Sequence, residues 1–161
     1  MAGSMSDIHD RKVAEEQIKH LAYHDALTDL PNQVLFKDRL KQAIAYSRRN
    51  DQIHAVLLLN LDRFKTINDS LGHVAGDHLL QQVAHCFETV ISDEMTAGRL
   101  GGDEFAIVVP IVASRDELEQ LCLALVGALQ GPFLYRDQRL FVGASIGVAI
   151  GPDDGRTVEE M

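Results

Sequence analysis

Arg99-Leu-Gly-Gly-Asp-Glu-Phe-Ala-Ile-Val-Val109 decides the fold class. Glu104 to Val109 is apolar after its first residue, and Ala97-Gly-Arg-Leu100 leads into the glycine pair from the other side. Paired glycines between two apolar segments supply the positive φ that tight hairpin turns demand. The stretch therefore predicts an antiparallel hairpin with two acids, Asp103 and Glu104, at its tip. Glycine there lets a ligand approach the backbone without meeting a Cβ. Taken alone, the tip also suits an ordinary solvated turn.

Upstream, His54 to Leu61 (His-Ala-Val-Leu-Leu-Leu-Asn-Leu) is a short, nearly continuous apolar run, which predicts a strand buried on both faces. Helical periodicity marks Asn32 to Arg49 through Phe36, Leu40, Ala43 and Ile44. Pro31 suits the first turn of that helix. A second amphipathic helix carries Leu79, Leu80, Val83, Phe87, Val90 and Ile91, after a polar connection over 63–73 with some helical character. A third carries Leu118, Leu121, Leu125, Val126 and Leu129 and is closed by Gly131-Pro132. Phe133 to Tyr135 and Leu140 to Ile150 read as strands. The order predicts an α+β fold, a central antiparallel-containing sheet flanked by helices.

At the ends, Met1 to Ser4 reads as an expression scar and residues 5–24 as an N-terminal linker helix. Its apolar seam, Ala14, Ile18 and Leu21, either packs on its own domain or pairs in a dimer; two heptads at most do not choose between them. Thr157-Val-Glu-Glu160 resembles the start of a further helix, with Thr157 as its cap.

The chain has 161 residues and a formal charge of -9. That length fits one domain of ordinary size. The acidic balance argues against nucleic acid and anionic membranes, which want a basic stripe. Nucleotides stay open, because a divalent cation can sit between carboxylates and phosphates. Two cysteines, Cys86 and Cys122, make no disulfide or metal framework and read as small buried hydrophobes. The histidines show no recognised ligand spacing. No apolar run reaches membrane-spanning length and no secretory signal is visible, so a cytoplasmic domain without membrane contact is expected.

Two further clusters fall at strand ends or turns. In Asn60-Leu-Asp-Arg-Phe-Lys65, Asn60 and Asp62 project from one strand face if the extended geometry continues that far. A carboxylate such as Asp62, where a buried strand meets a polar loop, is a natural hard-metal ligand, and backbone N–H groups with Lys65 suit phosphates. Asn68-Asp69, Gly72-His73 and Gly76-Asp77 offer a carboxylate and an amide fit for the donors and acceptors of a purine edge. By composition alone, Asn68 and Asp77 are better read as turn and helix-cap residues.

Together and in this order, these stretches resemble the GGDEF family, the diguanylate cyclases, which condense two GTP molecules into cyclic di-GMP. The matching pieces are Asp25-Ala-Leu-Thr-Asp-Leu-Pro-Asn32, Leu61 to Asp69, Gly72-His73, Gly76-Asp77, Arg99 to Phe105 and Ala144-Ser-Ile-Gly147. The resemblance implies a fold like the palm of polymerases and nucleotide cyclases, and assigns residues 25–161 to a GGDEF domain cut before its last helix. It implies Mg2+ (or Mn2+) held by Asp103, the Leu61 carbonyl and position 60, with Asp62 as a further candidate. Glu104 is implied as the acid that assists deprotonation of the 3′-OH or binds metal. Asn68 and Asp77 become guanine readers, Phe64 and Lys65 the phosphate-holding turn, and Gly101 and Gly102 the room for the nucleotide. A homodimer is implied for catalysis, with PAS and EAL domains as neighbours; Asp7 to Lys12 resembles the end of a PAS domain.

The family pattern is not matched everywhere. Asn60 stands where the family has a metal-binding aspartate. One charge pair at 4 Å and an effective dielectric of 20 is worth about 4 kcal/mol. Losing that selectively in the transition state would cost roughly a thousandfold in rate. Ser92 and Met95 occupy the Arg and Asp positions of the family's feedback-inhibition site, which is expected to be absent. Gln33 replaces an arginine that commonly follows Asn32. Two activities are therefore expected to compete: a slowed diguanylate cyclase, or a catalytically silent GTP-binding domain controlling an attached EAL phosphodiesterase domain. A third, weaker reading makes the piece chiefly a dimerising one.

Overall fold

The structure, a computed structural model, describes residues 4–152. Met1 to Gly3 of the expected scar and the expected helix start at Thr157 lie outside the described residues. In chain order the elements are α1 (Ser4–Tyr23), α2 (Gln33–Asn50), β1 (His54–Asp62), α3 (Phe64–Leu71), α4 (His73–Val90), β2 (Thr96–Gly101), β3 (Glu104–Val109), α5 (Arg115–Ala128), β4 (Phe133–Tyr135), β5 (Gln138–Leu140) and β6 (Gly143–Gly151).

Four strands make one antiparallel sheet in the order β2-β3-β1-β6, and β4 and β5 form a separate small hairpin. The fold is α+β, a central antiparallel sheet flanked by helices, as the hairpin predicted. Alternation along β1 sends Leu57, Leu59 and Leu61 to one face, where they join Phe105, Ile107, Leu79, Val83, Phe87 and Leu125 in the larger core. Phe87 and Phe105 meet edge to face with centroids 5.4 Å apart, a geometry that adds about 1 kcal/mol to burial alone. The other face is covered by α2, whose Phe36, Leu40, Ala43 and Ile44 pack on Val56, Ala106 and Val108.

That cover is incomplete, and it corrects the reading of β1 as buried on both faces. Beyond Val56, the outward residues Leu58, Asn60 and Asp62 are exposed, Leu58 by 44%. α2 crosses only the first half of the strand, so the second half keeps one bare face. This bare half positions the site.

Other boundaries shift for local reasons. Pro31 is not in a helix; it bridges His24, and Asn32 caps α2 by accepting from Leu35 N at 3.1 Å. The supposed polar connection over 63–73 contains α3, and Gly72, at φ +93, both ends α3 and begins α4. Asn68 and Asp77 therefore lie inside helices, not at turns or caps. The predicted strand from Leu140 to Ile150 is broken: Leu140 pairs with Phe133 in the small hairpin, and the sheet resumes at Gly143. Cys86 and Cys122 are only half-buried, as free thiols whose pKa values burial pushes up.

On α1, Ile18 and Leu21 are 67% and 63% exposed. The seam does not pack on its own domain. Among the described residues, no helix is long and apolar enough to cross a membrane.

Candidate functional site

β1 ends at Asp62, and Arg63 turns the chain at φ +66 directly into α3. Arg63 makes no side-chain cap bond, so the N–H groups of Phe64 and Lys65, in the first turn, have no intrahelical acceptor. Phe64 is buried and anchors the turn, while Lys65 is exposed. First-turn N–H groups of this kind favour an anion.

One α3 turn later stands Asn68. Its amide Oδ1 is buried and has no hydrogen-bond partner among the described residues. The space it fills exists because residue 76 is glycine: a Cβ on Gly76 would lie 1.8 Å from Asn68 Oδ1 and 3.3 Å from Phe64 Cζ. α3 and α4 approach through this contact, and Asp77, exposed on α4, follows Gly76 directly. The structure thus brings Phe64, Asn68 and Gly76 into contact, with Asp77 adjacent along the chain.

The β2–β3 turn faces the end of β1. Gly101 has φ +148 and Gly102 φ +50, and a Cβ on either would meet nothing within 4 Å. Backbone conformation rather than crowding demands glycine at both, and the space before them is open. Leu61 N donates to the Asp103 carbonyl at 3.2 Å, tying the turn to β1. Glu104 sits directly across from Asn60 in the β1–β3 register. Asp103 is half-buried and Glu104 exposed. Asp62 is on the far flank, accepting from Ser145 Oγ at 2.8 Å.

Among the described residues, no group of three or more His, Cys, Asp or Glu side chains is placed to hold a metal ion. The available donors are nonetheless all oxygens: the Asp103, Glu104 and Asp62 carboxylates, the Asn60 amide and the Leu61 carbonyl. That chemistry fits Mg2+ or Mn2+, which take few protein ligands and complete their shell with water and phosphate. A soft or imidazole-preferring metal finds no ligands here.

Sequence reading missed one further group. Arg99 Nη1 donates to both carboxylate oxygens of Asp25, at 3.0 and 3.1 Å, and its Nε and Nη2 donate to the Gly102 carbonyl at 3.1 and 2.9 Å. Burial would raise the Asp25 pKa, but hydrogen bonds from Thr28 and Arg99, with the Arg99 charge, outweigh it and hold it below the ordinary value. Both residues lie in the quoted motifs. Only their separation along the chain hid the pairing.

An antiparallel sheet flanked by helices, with an acidic glycine turn set against the end of its central strands, defines the GGDEF or palm-like class of domain. The chain belongs to the GGDEF family: the family model described as "Diguanylate cyclase, GGDEF domain" matches residues 22–161. It is 40% identical over 150 residues to MucR of Pseudomonas aeruginosa, named a bifunctional diguanylate cyclase/cyclic di-GMP phosphodiesterase, covering 92% of this chain and 22% of MucR. The chain thus spans about a fifth of that protein. The GGDEF domain of TpbB from P. aeruginosa superposes with a TM-score of 0.82 at 34% identity, covering 85% of this chain and 80% of that one. The coiled coil and GGDEF domain of DgcB from Caulobacter crescentus, solved with c-di-GMP, gives 0.82 at 26% identity, covering 92% and 80%.

Proposed function

We propose that this domain condenses two GTP molecules into cyclic di-GMP and pyrophosphate, with Mg2+ or Mn2+, at the interface of a homodimer. The observation that carries this reading is Asn68, whose buried, unpartnered amide oxygen stands at the same end of the sheet as the open acidic turn. Buried polar groups are seldom left without a partner, and a guanine edge supplies one once the half-buried Asn68 side chain turns its amide outward.

In this reading Asn68 and Asp77 bind guanine, the Asp77 carboxylate accepting from N1–H and the exocyclic amine. The N–H groups of Phe64 and Lys65, with the Lys65 ammonium, hold the phosphates, and Gly101 and Gly102 leave room for them. Asp103, the Leu61 carbonyl, the Asn60 amide and Asp62 are the oxygen ligands; the bound cation supplies charge neutralisation and a more acidic hydroxyl. Glu104 takes the 3′-OH proton. The freed 3′-oxygen bonds to the α-phosphorus of the GTP on the partner protomer, and the bond to pyrophosphate breaks. The same step in the other direction closes the ring. Each protomer holds one GTP, hence the dimer. GTP and the cation place this chemistry in the cytoplasm. PAS and EAL domains are the proposed neighbours in the full-length protein.

A second reading rests on Asn60, which removes one unit of charge from the cation site. It makes the domain a silent GTP-binding regulator of an attached EAL domain. Incubating the full-length protein with GTP and Mg2+ and following cyclic dinucleotide, beside Asn60→Asp, separates the two. Product from the natural sequence supports the enzyme. GTP binding without product, with turnover gained in Asn60→Asp, supports the regulator. Neither binding nor turnover overturns both.

A further inference from the structure

The opposite end of β1 from the candidate site carries a second polar pocket. Alternation puts His54 on the same face as Val56, the face that α2 covers. A cavity of about 300 Å³ opens there, lined by Ile44, Ser47 and Arg48 of α2, by Asp51, Gln52 and His54, and by Pro152. That volume is at the small end of ligand sites. His54 is 2% exposed, and neither ring nitrogen has a hydrogen-bond partner among the described residues. Buried polar groups are seldom left so. The ring packs against Gly151, whose missing side chain gives it room. Because no bond holds either nitrogen, turning the ring to aim one into the cavity breaks no hydrogen bond.

The rest of the lining offers chiefly acceptors. Ser47 Oγ donates its proton to the Gln52 carbonyl, so only its lone pairs remain. Asp51, the αL cap of α2, is exposed and adds a carboxylate. The helix C-terminus beside them carries partial negative charge. Burial disfavours a charge on His54, and a neutral imidazole supplies one acceptor nitrogen. Arg48, the one cation among the described lining residues, already has a partner.

We propose that this cavity binds a small primary ammonium ion with a short apolar body. Its N–H donors are shared among the Asp51 carboxylate, Ser47 Oγ and a His54 ring nitrogen, and its body lies against Ile44 and Pro152. An anion of the same size would face these acceptors without donors to match them. The length of β1, about 25 Å, separates the pocket from Asp62 and the nucleotide site.

The test is equilibrium dialysis of radiolabelled n-butylamine, a cation at neutral pH, against the full-length protein at constant ionic strength. Saturable binding of one n-butylammonium per chain is expected, with no competition from butyrate or n-butanol. Asp51→Asn removes the charge and keeps a residue that tolerates αL. His54→Phe keeps the shape of the ring and removes the acceptor. Each is expected to weaken binding about tenfold. Thermal melts check folding, and Asp51→Asn, an exposed change, carries the test if His54→Phe melts early. No saturable binding, equal competition by butyrate or n-butanol, or unchanged affinity in Asp51→Asn overturns the proposal.

Discussion

Arg99 joins Asp25, in the turn that follows α1, to the carbonyl of Gly102 at the tip of the β2–β3 hairpin. The side chains are only 14% and 19% exposed. One guanidinium thus ties the base of the N-terminal helix to the candidate site. The same turn is fastened twice more, by Arg99 N to the Pro31 carbonyl at 3.0 Å and by Asn32 Nδ2 to the Ala22 carbonyl at 3.0 Å.

Arg99→Ala leaves a half-buried carboxylate with only Thr28 and frees the glycine turn. A lost charge-assisted bond of this kind costs about 2 kcal/mol, or roughly 4–8 °C in melting temperature for a domain of this size. Thermal unfolding at neutral pH measures it. The Asp25 pKa is held below its ordinary 3.8, so its contribution is present above that value and fades as pH falls through the lower folded-state pKa. The stability gap between natural and variant proteins is therefore expected to narrow in acid, below about pH 4, leaving the part due to the lost Gly102 bonds.

Gly76→Ala is expected to separate binding from folding. The new Cβ meets the end of the Asn68 side chain, which can rotate away, and alanine favours helix over glycine by about 1 kcal/mol. Melting temperature should hold or rise while GTP affinity falls at least tenfold. Calorimetric titration with GTP beside a thermal melt checks both; unchanged affinity would remove Asn68 from the nucleotide site.

His54 gives a second pH dependence. The ring is 2% exposed, both nitrogens lack partners among the described residues, and burial pushes its pKa below the ordinary 6.5. It packs against Gly151, where a Cβ would come within 2.2 Å of Cε1. The unfolded chain takes up a proton near pH 6.5 that the folded one refuses, so stability falls as pH drops from there toward the folded-state value. His54→Phe keeps the shape and removes the proton. Urea melts at pH 7.5 and 5.5 should show a loss in the natural protein that the variant lacks.

Ile18 and Leu21 expose apolar surface along α1, which runs into the turn held by Arg99. If α1 pairs in the dimer that two half-sites require, Ile18→Glu with Leu21→Glu should shift the full-length protein toward monomer in sedimentation equilibrium. Cyclic di-GMP formation should fall in step. A dimer of unchanged strength would assign the interface elsewhere.

The helical periods of α2, α4 and α5 and the glycine-turn hairpin were legible because each is a local pattern: a face repeating every turn, or two apolar runs around residues that tolerate positive φ. Errors fell where tertiary contact overrides local preference. An apolar run looks the same whether both of its faces are covered or only part of one, so the bare half of β1 could not be read from it. Residues 63–73 read from the sequence as a polar connection with only some helical character, because the eight residues of α3 carry too few turns to show a period.

The sequence by itself determined the family and the identity of the candidate residues, since motifs in register are a property of chain order. Tertiary structure alone decided that Arg99 clasps Asp25, that Gly76 makes room for Asn68, and that Ser145 donates to Asp62. Each is a contact between residues distant along the chain or on different elements. Its distance and direction are fixed by sheet register and helix packing, which no local pattern of letters encodes.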